Sequence, residues 1–458
     1  MKKVLEKEFK NYNEVMADIR ETEQLYKIYK GPGQKWNNEE TAYYAVMKIS
    51  NNIKKLIKEE ARFMFGKTPE FAVLDKEGEV IEDKQKLLDD TLNKNLFRGK
   101  LIKGTRDCFI GKRVAIKVNI IDKNPIITFV PSTNFMFETM DNSQNKIKKI
   151  IFFQKTVSAI TQNEERHWIQ KYEMINEKCH LTEYICDGTG NIVEPLAENK
   201  NLGFEEIPAY IIINDGLSHD YFGESDVKEI LDNAFMYNRM ASEDLDTLRK
   251  GMNRIIFGTD VDEESSKHFE LKPGAFWDVM TDPTAADGKQ AQIGTIATDF
   301  NYNERMENAL KRMKNDMYEA LNIPQISNED LKGMMTSGKS MKALYWQLIT
   351  RCEEKLTAWI PALEWLASFI LKSLSVKDDY YIEVTNNYPL QEDEDNEKIL
   401  DMQQVNTQVM SRKTYMKKWL GFKDTVIEEE LKQMQFEKQL LEDSYSQFED
   451  TEIAEDEE

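Results

Sequence analysis

The stretch GESDVKEILDNAFMYNRMASEDLDTLRK, residues 223–250, marks a change from strand-rich to helical sequence. Ser225 is a favourable N-cap residue, and Asp226 places a negative charge in the first turn, where the helix dipole favours it. Apolar side chains then recur at helical spacing, at Val227, Ile230, Leu231, Ala234 and Phe235. The pattern predicts an amphipathic helix to about Lys250, roughly 37 Å long at ~1.5 Å per residue.

A second long helix is predicted at about 301–321, NYNERMENALKRMKNDMYEAL, and Pro324 ends it. Between the two helices, residues 251–298 are punctuated by Gly, Asp and Pro and contain two short strand candidates, NRIIFG and AFWDVM. Two long helices around a small irregular module can form an antiparallel pair with the module at its far end.

The sequence before residue 220 predicts an α+β domain made largely of antiparallel strands. Residues 1–66 contain two helical stretches around the turn YKGPGQKWNN. EFAVLDKEGEVI, at 70–81, predicts a hairpin with Glu-Gly at its turn, and DKQKLLDDTLNKNLF predicts a short helix. The strand candidates that follow are RVAIKVNII, PIITFV, NFMFETM, IKKIIFFQKTV and HLTEYICDGTGNIV.

Downstream, SMKALYWQLITRCEEKLTAWIPALEWLASFILKSL predicts one very long helix that begins near Ser340, with a kink at Pro361. Its predicted core stripe consists of Leu344, Leu348, Cys352, Leu356, Trp359 and Leu363. A late strand, DDYYIEVTNNYP, and three further helices follow, up to about residue 443. The last stretch, 444–458, contains no lysine or arginine and is predicted to be disordered.

The 458 residues include 82 acidic and 61 basic side chains, a net charge of −21. Such a chain is not suited to wrapping DNA tightly, because that affinity comes from Lys and Arg replacing counterions on the phosphates. This balance does not exclude a protein past which DNA slides. The N-terminus lacks a signal peptide pattern, and the most apolar run, WIPALEWLASFIL, is too short to span a bilayer. We therefore expect a soluble, intracellular protein without membrane contact.

No catalytic grouping, metal site or cofactor is predicted from the cysteines, histidines and carboxylates. The four cysteines indicate no disulfide framework. Cys179, His180 and Cys186 lie close together, but a zinc site would need a second pair of ligands that is absent. We interpret them as ordinary strand residues.

The string GMMTSGKS, residues 333–340, matches the phosphate-binding loop pattern at Gly333, Gly338, Lys339 and Ser340. That chemistry needs a buried strand leading into the loop, but LNIPQISNEDLK precedes it. The nearest strand that ends in an acid, AYIIIND at 209–215, lies far upstream. Thr336 or Ser337 is better explained as the N-cap of the following helix.

The chain resembles the portal proteins of tailed bacteriophages of the long-tailed type, from about residue 20 to 440. Two stretches carry the likeness, IPAYIIINDGLSHDYFGESDVKEILDNAFMYNRMASEDLDTL and MYEALNIPQISNEDLKGMMTSGKSMKALYWQLITRCEEK, together with the order of the parts. In that family a turn of the form Ser-Gly-x-x-x-[KR] leads into a long helix, and Ser337, Gly338 and Lys342 fit it.

The resemblance implies a portal-like α+β fold with these parts: a wing at 1–220, stem helices at 221–250 and 299–321, a clip at 251–298, a tunnel loop at 322–340, a long kinked helix with a return strand of the wing at 341–387, and a helical crown at 388–443. It implies a ring of about twelve copies around a channel for double-stranded DNA, which is contacted non-specifically and transiently. The implied partners are the terminase large subunit, head-completion or adaptor proteins, and the major capsid and scaffolding proteins. The implied location is the portal vertex of the virion, and the host cytoplasm during assembly.

Two sets of site residues follow from the resemblance. The tunnel loop would present Asn328, Glu329, Asp330, Lys332, Met334, Met335, Thr336 and Lys339 to the DNA. The clip would dock the motor or adaptor through Asp260, Asp262, Glu263, Glu264, Lys267, Asp282 and Asp287.

Two alternatives stay open from the sequence. One is an NTPase that uses residues 333–340, and the other is an acidic helical scaffold or adaptor without a channel, which would stay monomeric or dimeric.

Overall fold

The computed structural model of the chain describes residues 2–31, 49–122, 124–140, 143–156, 165–217, 220–251, 255–263, 279–284, 289–296, 303–325, 338–376, 379–390, 394–422 and 426–437. The chain divides into two compact units. One consists of Met1–Ile326 with Tyr345–Pro389, and the other of Ser327–Leu344 with Leu390–Glu458. Helices and strands are mixed, which agrees with the predicted α+β class.

Helices occur in both units of the described chain. In chain order they are α1 (Lys2–Glu8), α2 (Tyr12–Lys30), α3 (Asn52–Met64), α4 (Glu82–Lys94), α5 (Phe97–Gly111), α6 (Asp226–Gly251), α7 (Asn303–Ala320), α8 (Gly338–Leu344), α9 (Trp346–Ser373), α10 (Glu394–Asn406), α11 (Arg412–Tyr415), which continues as a π-helix over Met416–Leu420, and α12 (426–437).

The strands within the same ranges pair antiparallel throughout. They are β1 (Glu70–Leu74), β2 (Arg113–Ile121), β3 (Asn124–Pro131), β4 (Phe135–Met140), β5 (Ser143–Lys155), β6 (His167–Ile175), β7 (Lys178–Cys186), β8 (Ile192–Asn201), β9 (Ala209–Ile213), β10 (Ile255–Thr259), β11 (Gln292–Ile296) and β12 (Tyr381–Thr385). They form a five-stranded sheet in the order β4-β5-β6-β7-β8, a three-stranded sheet β3-β2-β9, and the pairs β1-β12 and β10-β11.

The five-stranded sheet is packed on both faces. Because successive side chains of a strand point to opposite faces, β5 sends Ile151 and Phe153 into a cluster with α1 and α2. Ile150 and Phe152 enter the opposite cluster, which includes residues of β2 and β9. The run IIFF therefore belongs to a strand with two buried faces, which explains why it is apolar without alternation.

The hairpin predicted at 70–81 is wrong in its main pairing. β1 pairs along its whole length with β12, from Glu70 opposite Thr385 to Leu74 opposite Tyr381. Only an isolated bridge, Leu74 to Val80, joins the two halves of the predicted hairpin. The local turn forms, but the sheet partner comes from a distant part of the chain.

The helices near the N-terminus also differ from the prediction. The first predicted stretch is divided into α1 and α2, and α5 was not predicted from the sequence. α5 contains Gly99, Gly104 and Gly111, which lower its intrinsic helix propensity. A Cβ at Gly104 would lie 2.3 Å from the ring of Phe129, so glycine permits the close approach of α5 to β3.

The long helix predicted from Ser340 is interrupted at Tyr345, which separates α8 from α9. The predicted stripe is confirmed within α9, where Leu348, Cys352, Leu356, Trp359 and Leu363 are buried. Pro361 lies inside α9 and removes one backbone hydrogen bond from it. Leu344 lies in the shorter α8 and is half-buried.

Candidate functional site

The N-terminal end of α6 is formed by residues that the sequence analysis identified. Ser225 Oγ donates to the carbonyl of Ile110 at 2.8 Å and accepts from the N–H of Val227 at 3.3 Å, so the predicted N-cap is confirmed. Gly223, two residues earlier, has φ +75°, and a Cβ there would lie 2.7 Å from the carbonyl oxygens of Asn214 and Lys112. A side chain at this position would be strained and would clash with backbone on two sides.

The buried face of α6 contains more polar residues than its pattern predicted. Val227, Ile230 and Ala234 are buried as predicted, whereas Leu231 and Phe235 are half-buried. Further along, three polar residues continue the buried stripe, namely Asn238, Ser242 and Asp246. The Asn238 side chain accepts from the Ser50 N–H at 2.8 Å, so this polar group is matched by backbone from another element.

α6 and α7 form a helix pair with a β-ribbon at the far end. α7 packs along α6, and between them β10 and β11 pair from Ile255 opposite Ile296 to Thr259 opposite Gln292. Because the ribbon reverses the chain, α7 runs back along α6. The helix pair with a terminal ribbon agrees with the prediction, but the strand that pairs with β10 is β11. The sequence predicts a strand at AFWDVM instead, and most of that stretch lies outside the described residues.

The ribbon brings part of the predicted docking set together. Beyond β10, the Asp262 N–H donates to the Met280 carbonyl at 2.9 Å, and the Asp282 N–H donates to the Asp260 carbonyl at 3.0 Å. The Asp282 carboxylate accepts from the Thr284 N–H at 2.8 Å, and this hydrogen bond lowers its pKa. Glu263 follows Asp262 directly and is exposed. Glu264, Lys267 and Asp287 lie outside the described residues.

The other predicted site, the loop before α8, falls mostly outside the described residues. Asn328, Glu329, Asp330, Lys332, Met334, Met335 and Thr336 are not among them. Lys339 lies in α8, whose first residue is Gly338, so the helix begins where the turn pattern predicted. The flank before the loop is fixed by Leu321 and Ile323, which are both buried.

Among the described residues, no strand leads towards the phosphate-loop string at 333–340. The described residues 303–325, which precede the loop, form α7 and a turn. The upstream strand β9 pairs antiparallel with β2, whereas a phosphate-binding loop belongs to a parallel sheet.

At the start of α6 a buried cluster of charged residues joins three helices. Arg351 of α9 donates to Glu60 of α3 at 2.9 Å and to Asp226 at 3.2 Å. Lys355, one turn later, donates to Asp226 at 2.5 Å and to Glu60 at 2.9 Å. Arg351 also donates to the exposed Glu229 at 2.6 Å. The first turn of α6 is thereby fixed to both α3 and α9.

Burial and charge act against each other on these groups. Burial, and then the charge of Asp226, raise the pKa of Glu60, which is completely enclosed. Burial alone would lower the pKa of Lys355, but Asp226 and Glu60 outweigh it and the pKa is raised. Sequence reasoning missed this cluster, because carboxylates are too numerous in the chain for sequence proximity to select a pair.

A second set of ion pairs ties the same turn of α6 to α2. Lys112 donates to Asp18 at 2.7 Å and to Glu21 at 2.6 Å, and Glu21 also pairs with Lys228 of α6. Arg113 pairs with Asp18 at 2.8 Å. The start of α6 is therefore held from two sides by charge-assisted contacts.

The cysteines carry no metal chemistry in the described part of the chain. Cys179 and Cys186 lie on β7 and enter the clusters on opposite faces of the sheet, so they cannot share a site. Burial raises the pKa of the Cys179 thiol to about 12. No group of metal-binding side chains occurs among the described residues, and no helix in those ranges is long and apolar enough to cross a membrane.

The described residues thus include an α+β body that carries a helix pair ending in an acidic ribbon. The family model described as Phage portal protein, SPP1 Gp6-like, matches residues 10–441. The chain therefore belongs to this phage portal protein family, which confirms the resemblance found in its sequence. No curated protein matches the chain.

Membership in the family associates the chain with the bacteriophage virion and with DNA packaging. Portal proteins are in general structural rather than enzymatic, form ring oligomers in the phage head, and interact with capsid and terminase.

Proposed function

We propose that the chain forms the ring-shaped channel at the portal vertex through which double-stranded DNA is packaged and ejected. The observation that carries the proposal is the helix–ribbon–helix segment from α6 to α7, which lies inside the family match. A paired helix hairpin with a terminal ribbon suits a stem that spans a ring wall and ends in a docking surface.

Exposed apolar side chains support assembly from copies of the chain. In the second unit only Asp401 and Ile427 are buried among the residues whose exposure is described. Ile399, Leu400, Met402 and Leu420 are each more than half exposed. Because these helices have so small a core of their own, neighbouring copies would cover their exposed apolar side chains. A closed ring supplies such neighbours through head-to-tail interfaces. The ring would contain about twelve copies, with 388–443 as its crown.

The ribbon is the proposed docking surface for the terminase large subunit and later for head-completion or adaptor proteins. Asp260, Asp262, Glu263 and Asp282 support it, because they gather negative charge at the tip of the helix pair. Glu264, Lys267 and Asp287 belong to the same proposed clip. Charge of one sign at a docking surface accelerates encounter with a partner of the opposite sign. The wing, residues 1–220, would face the major capsid and scaffolding proteins.

Residues 322–340 are the proposed tunnel loop that faces the DNA. An acidic wall repels phosphate over a Debye length of ~8 Å at physiological salt, which lets DNA slide. Lys332 and Lys339 would make transient phosphate contacts without reading bases. ATP would be hydrolysed by the separate terminase subunit, and the chain itself would need no cofactor. The site of action would be the virion, after assembly in the host cytoplasm.

The mass and shape of the purified chain test the proposal, by light scattering and negative-stain images. Rings of about twelve or thirteen copies with a central hole are expected. A chain that stays monomeric or dimeric in the presence of its capsid and scaffolding proteins would instead be a scaffold or adaptor. Nucleotide hydrolysis that disappears in Lys339→Ala would favour the NTPase alternative.

A further inference from the structure

A groove of about 670 Å³ lies beside α2, entirely within the first of the two units. One wall is a single face of α2, since its lining residues recur at helical spacing: Met16, Ile19, Glu23, Tyr26, Lys27 and Lys30. The opposite wall comes from the turn after β3, the end of β5 and the start of β6. This volume falls in the range of roughly 300–1,000 Å³ that is usual for ligand sites. We call it the α2 groove.

Both walls of the α2 groove are fixed by hydrogen bonds. The Tyr26 hydroxyl donates to Asp107 Oδ1 at 3.0 Å, which joins α2 to α5. In the opposite wall, Asn134 Nδ2 donates to the Phe153 carbonyl at 3.0 Å. The folded chain therefore forms the groove by itself, and a ligand would not have to order it.

Part of the groove lining is apolar. Ile19 and Phe153 belong to the buried cluster that packs α1 and α2 on the five-stranded sheet, and the half-buried Met16 packs against that cluster. Met16 leaves part of its surface uncovered, and a methionine side chain adapts to apolar partners of different shapes. The groove thus offers an apolar contact that is supported from below by the core.

The polar part of the lining carries a surplus of positive charge. Lys27, Lys30 and Lys155 stand against a single carboxylate, Glu23. The three lysines are exposed, and none has an ion pair or side-chain hydrogen bond to another residue of the described ranges. In the same ranges the Nδ1 atom of the half-buried His167 has no hydrogen-bond partner. This local balance is opposite to that of the whole chain, whose net charge is −21.

Lysines beside an apolar surface suit a ligand that combines negative charge with apolar side chains. An ammonium group is a compact point charge, which pairs with a carboxylate as well as with a phosphate. A nucleic-acid backbone would use the lysines, but it would place phosphate and sugar against Met16. A peptide segment that contains Asp or Glu next to an apolar residue uses both parts of the lining.

We propose that the α2 groove binds an acidic segment of a protein partner, with its carboxylates at Lys27, Lys30 and Lys155 and an apolar side chain against Met16. Only the identity of the partner rests on the proposed function: residues 1–220 are proposed to face the capsid and scaffolding proteins, and one of these would supply the segment. Binding itself needs no ring, because the groove lies within one copy.

A peptide array tests the groove although the partner is unidentified. The labelled full-length chain is applied to decapeptides of varied sequence, and the strongest binder is then measured in solution by fluorescence anisotropy. The bound peptides are expected to be rich in Asp and Glu next to Leu, Ile, Met or Phe. Selection of neutral or basic peptides, or of none, would overturn the proposal.

Charge removal shows whether the selected peptide occupies the groove. In the triple variant Lys27→Gln, Lys30→Gln, Lys155→Gln, affinity is expected to fall about tenfold, because three partly exposed ion pairs are lost. The matched control removes three exposed lysines elsewhere, Lys76, Lys86 and Lys94. The control should bind within about twofold of the unchanged chain. Equal affinities of the two triple variants would overturn the proposal.

Two further measurements separate a peptide site from a phosphate site. Met16→Ser should weaken peptide binding about fivefold, because the apolar contact is lost. A twelve-nucleotide oligothymidylate and inorganic phosphate serve as competitors, and neither should displace the peptide at tenfold excess. Displacement by either, or unchanged affinity in Met16→Ser, would assign the groove to phosphate and refute an acidic peptide as its ligand.

The outcome is separable from the proposed ring. Light scattering on the same samples reports whether copies assemble. Rings that form without selection of acidic peptides would retain the channel and refute the groove. Peptide binding that depends on the three lysines, in a chain that forms no rings, would retain the groove and refute the channel.

Discussion

Carboxylates are buried at one end of the α6–α7 pair and partly exposed to water at the other. At the start of α6, Asp226 and Glu60 are buried and each contacts Arg351 and Lys355. At the ribbon, Asp260 and Asp282 keep part of their surface in water. Buried charges must be compensated within the protein, while exposed ones are solvated and available to a partner. The comparison indicates that one end is fixed to the body and the other is suited to docking.

The largest expected effect comes from breaking the buried end. Lys355→Met leaves Glu60 and Asp226 with Arg351 alone, and we expect a loss of about 3 kcal/mol in the free energy of unfolding. Urea denaturation measures it. Adding Glu60→Gln should recover part of the loss, because it removes the uncompensated charge. The control is Lys372→Met, which breaks a partly exposed pair with Glu206 and should cost less than about 1 kcal/mol. Equal losses in the two single variants would contradict the interpretation.

Gly223→Ala tests whether the entry to α6 is as rigid as its contacts indicate. The added Cβ would meet two carbonyl oxygens at 2.7 Å in a residue with φ +75°, so we expect a loss of about 3 kcal/mol. Gly203→Ala is the matched control, since Gly203 has φ +81° but no atom within 4 Å of a Cβ. It should lose only about 1 kcal/mol, the contribution of backbone strain. A similar urea midpoint for both would show that the entry can relax.

The contrast between enclosed and exposed carboxylates predicts opposite dependences on pH. Burial raises the pKa of Asp107 to about 6, although its hydrogen bond from Tyr26 at 3.0 Å opposes the shift. The folded state then holds the proton more tightly than the unfolded state, so the contribution of Asp107 to stability is complete below about pH 4 and is lost as the pH rises through 6, about 3 kcal/mol in all.

Melting temperatures between pH 4 and 8 check this, and Asp107→Asn, which mimics the protonated acid, should remove most of the decline. At Asp282 the pKa is lowered, so its contribution is present at neutral pH and is lost as the pH falls through its folded-state pKa. A dependence of the melting temperature on pH that is the same in Asp107→Asn as in the unchanged chain would contradict the assignment.

The smallest effect on stability is expected at the ribbon. Asp262→Lys with Glu263→Lys should change the free energy of unfolding by less than about 0.5 kcal/mol. If the ribbon docks the terminase, its association rate at low salt should fall about tenfold, because complementary charge mainly accelerates encounter. Stopped-flow binding measures the rate. The control reverses Glu194 and Glu198, which are exposed on β8. Equal rates for the two charge-reversed variants would place the docking surface elsewhere.

Predictions that depend on neighbouring residues were mostly correct. The cap at Ser225, the apolar face at Val227 and Ile230, and the stripe within α9 are all confirmed. The second strand of the ribbon, QIGTI, was missed because its short and partly polar pattern carries little signal. The domain limits and the roles of the tunnel-loop and clip residues stay predictions.

The sequence by itself determined where most helices and strands occur, because capping residues and apolar periodicity act within a few residues. Only the tertiary structure decided that β1 pairs with β12 and not with its neighbour, and that Glu60, Asp226, Arg351 and Lys355 share one buried cluster. Both depend on contacts between residues that are distant along the chain. Local patterns hold no information on which of many equivalent strands or charges meet when the core forms.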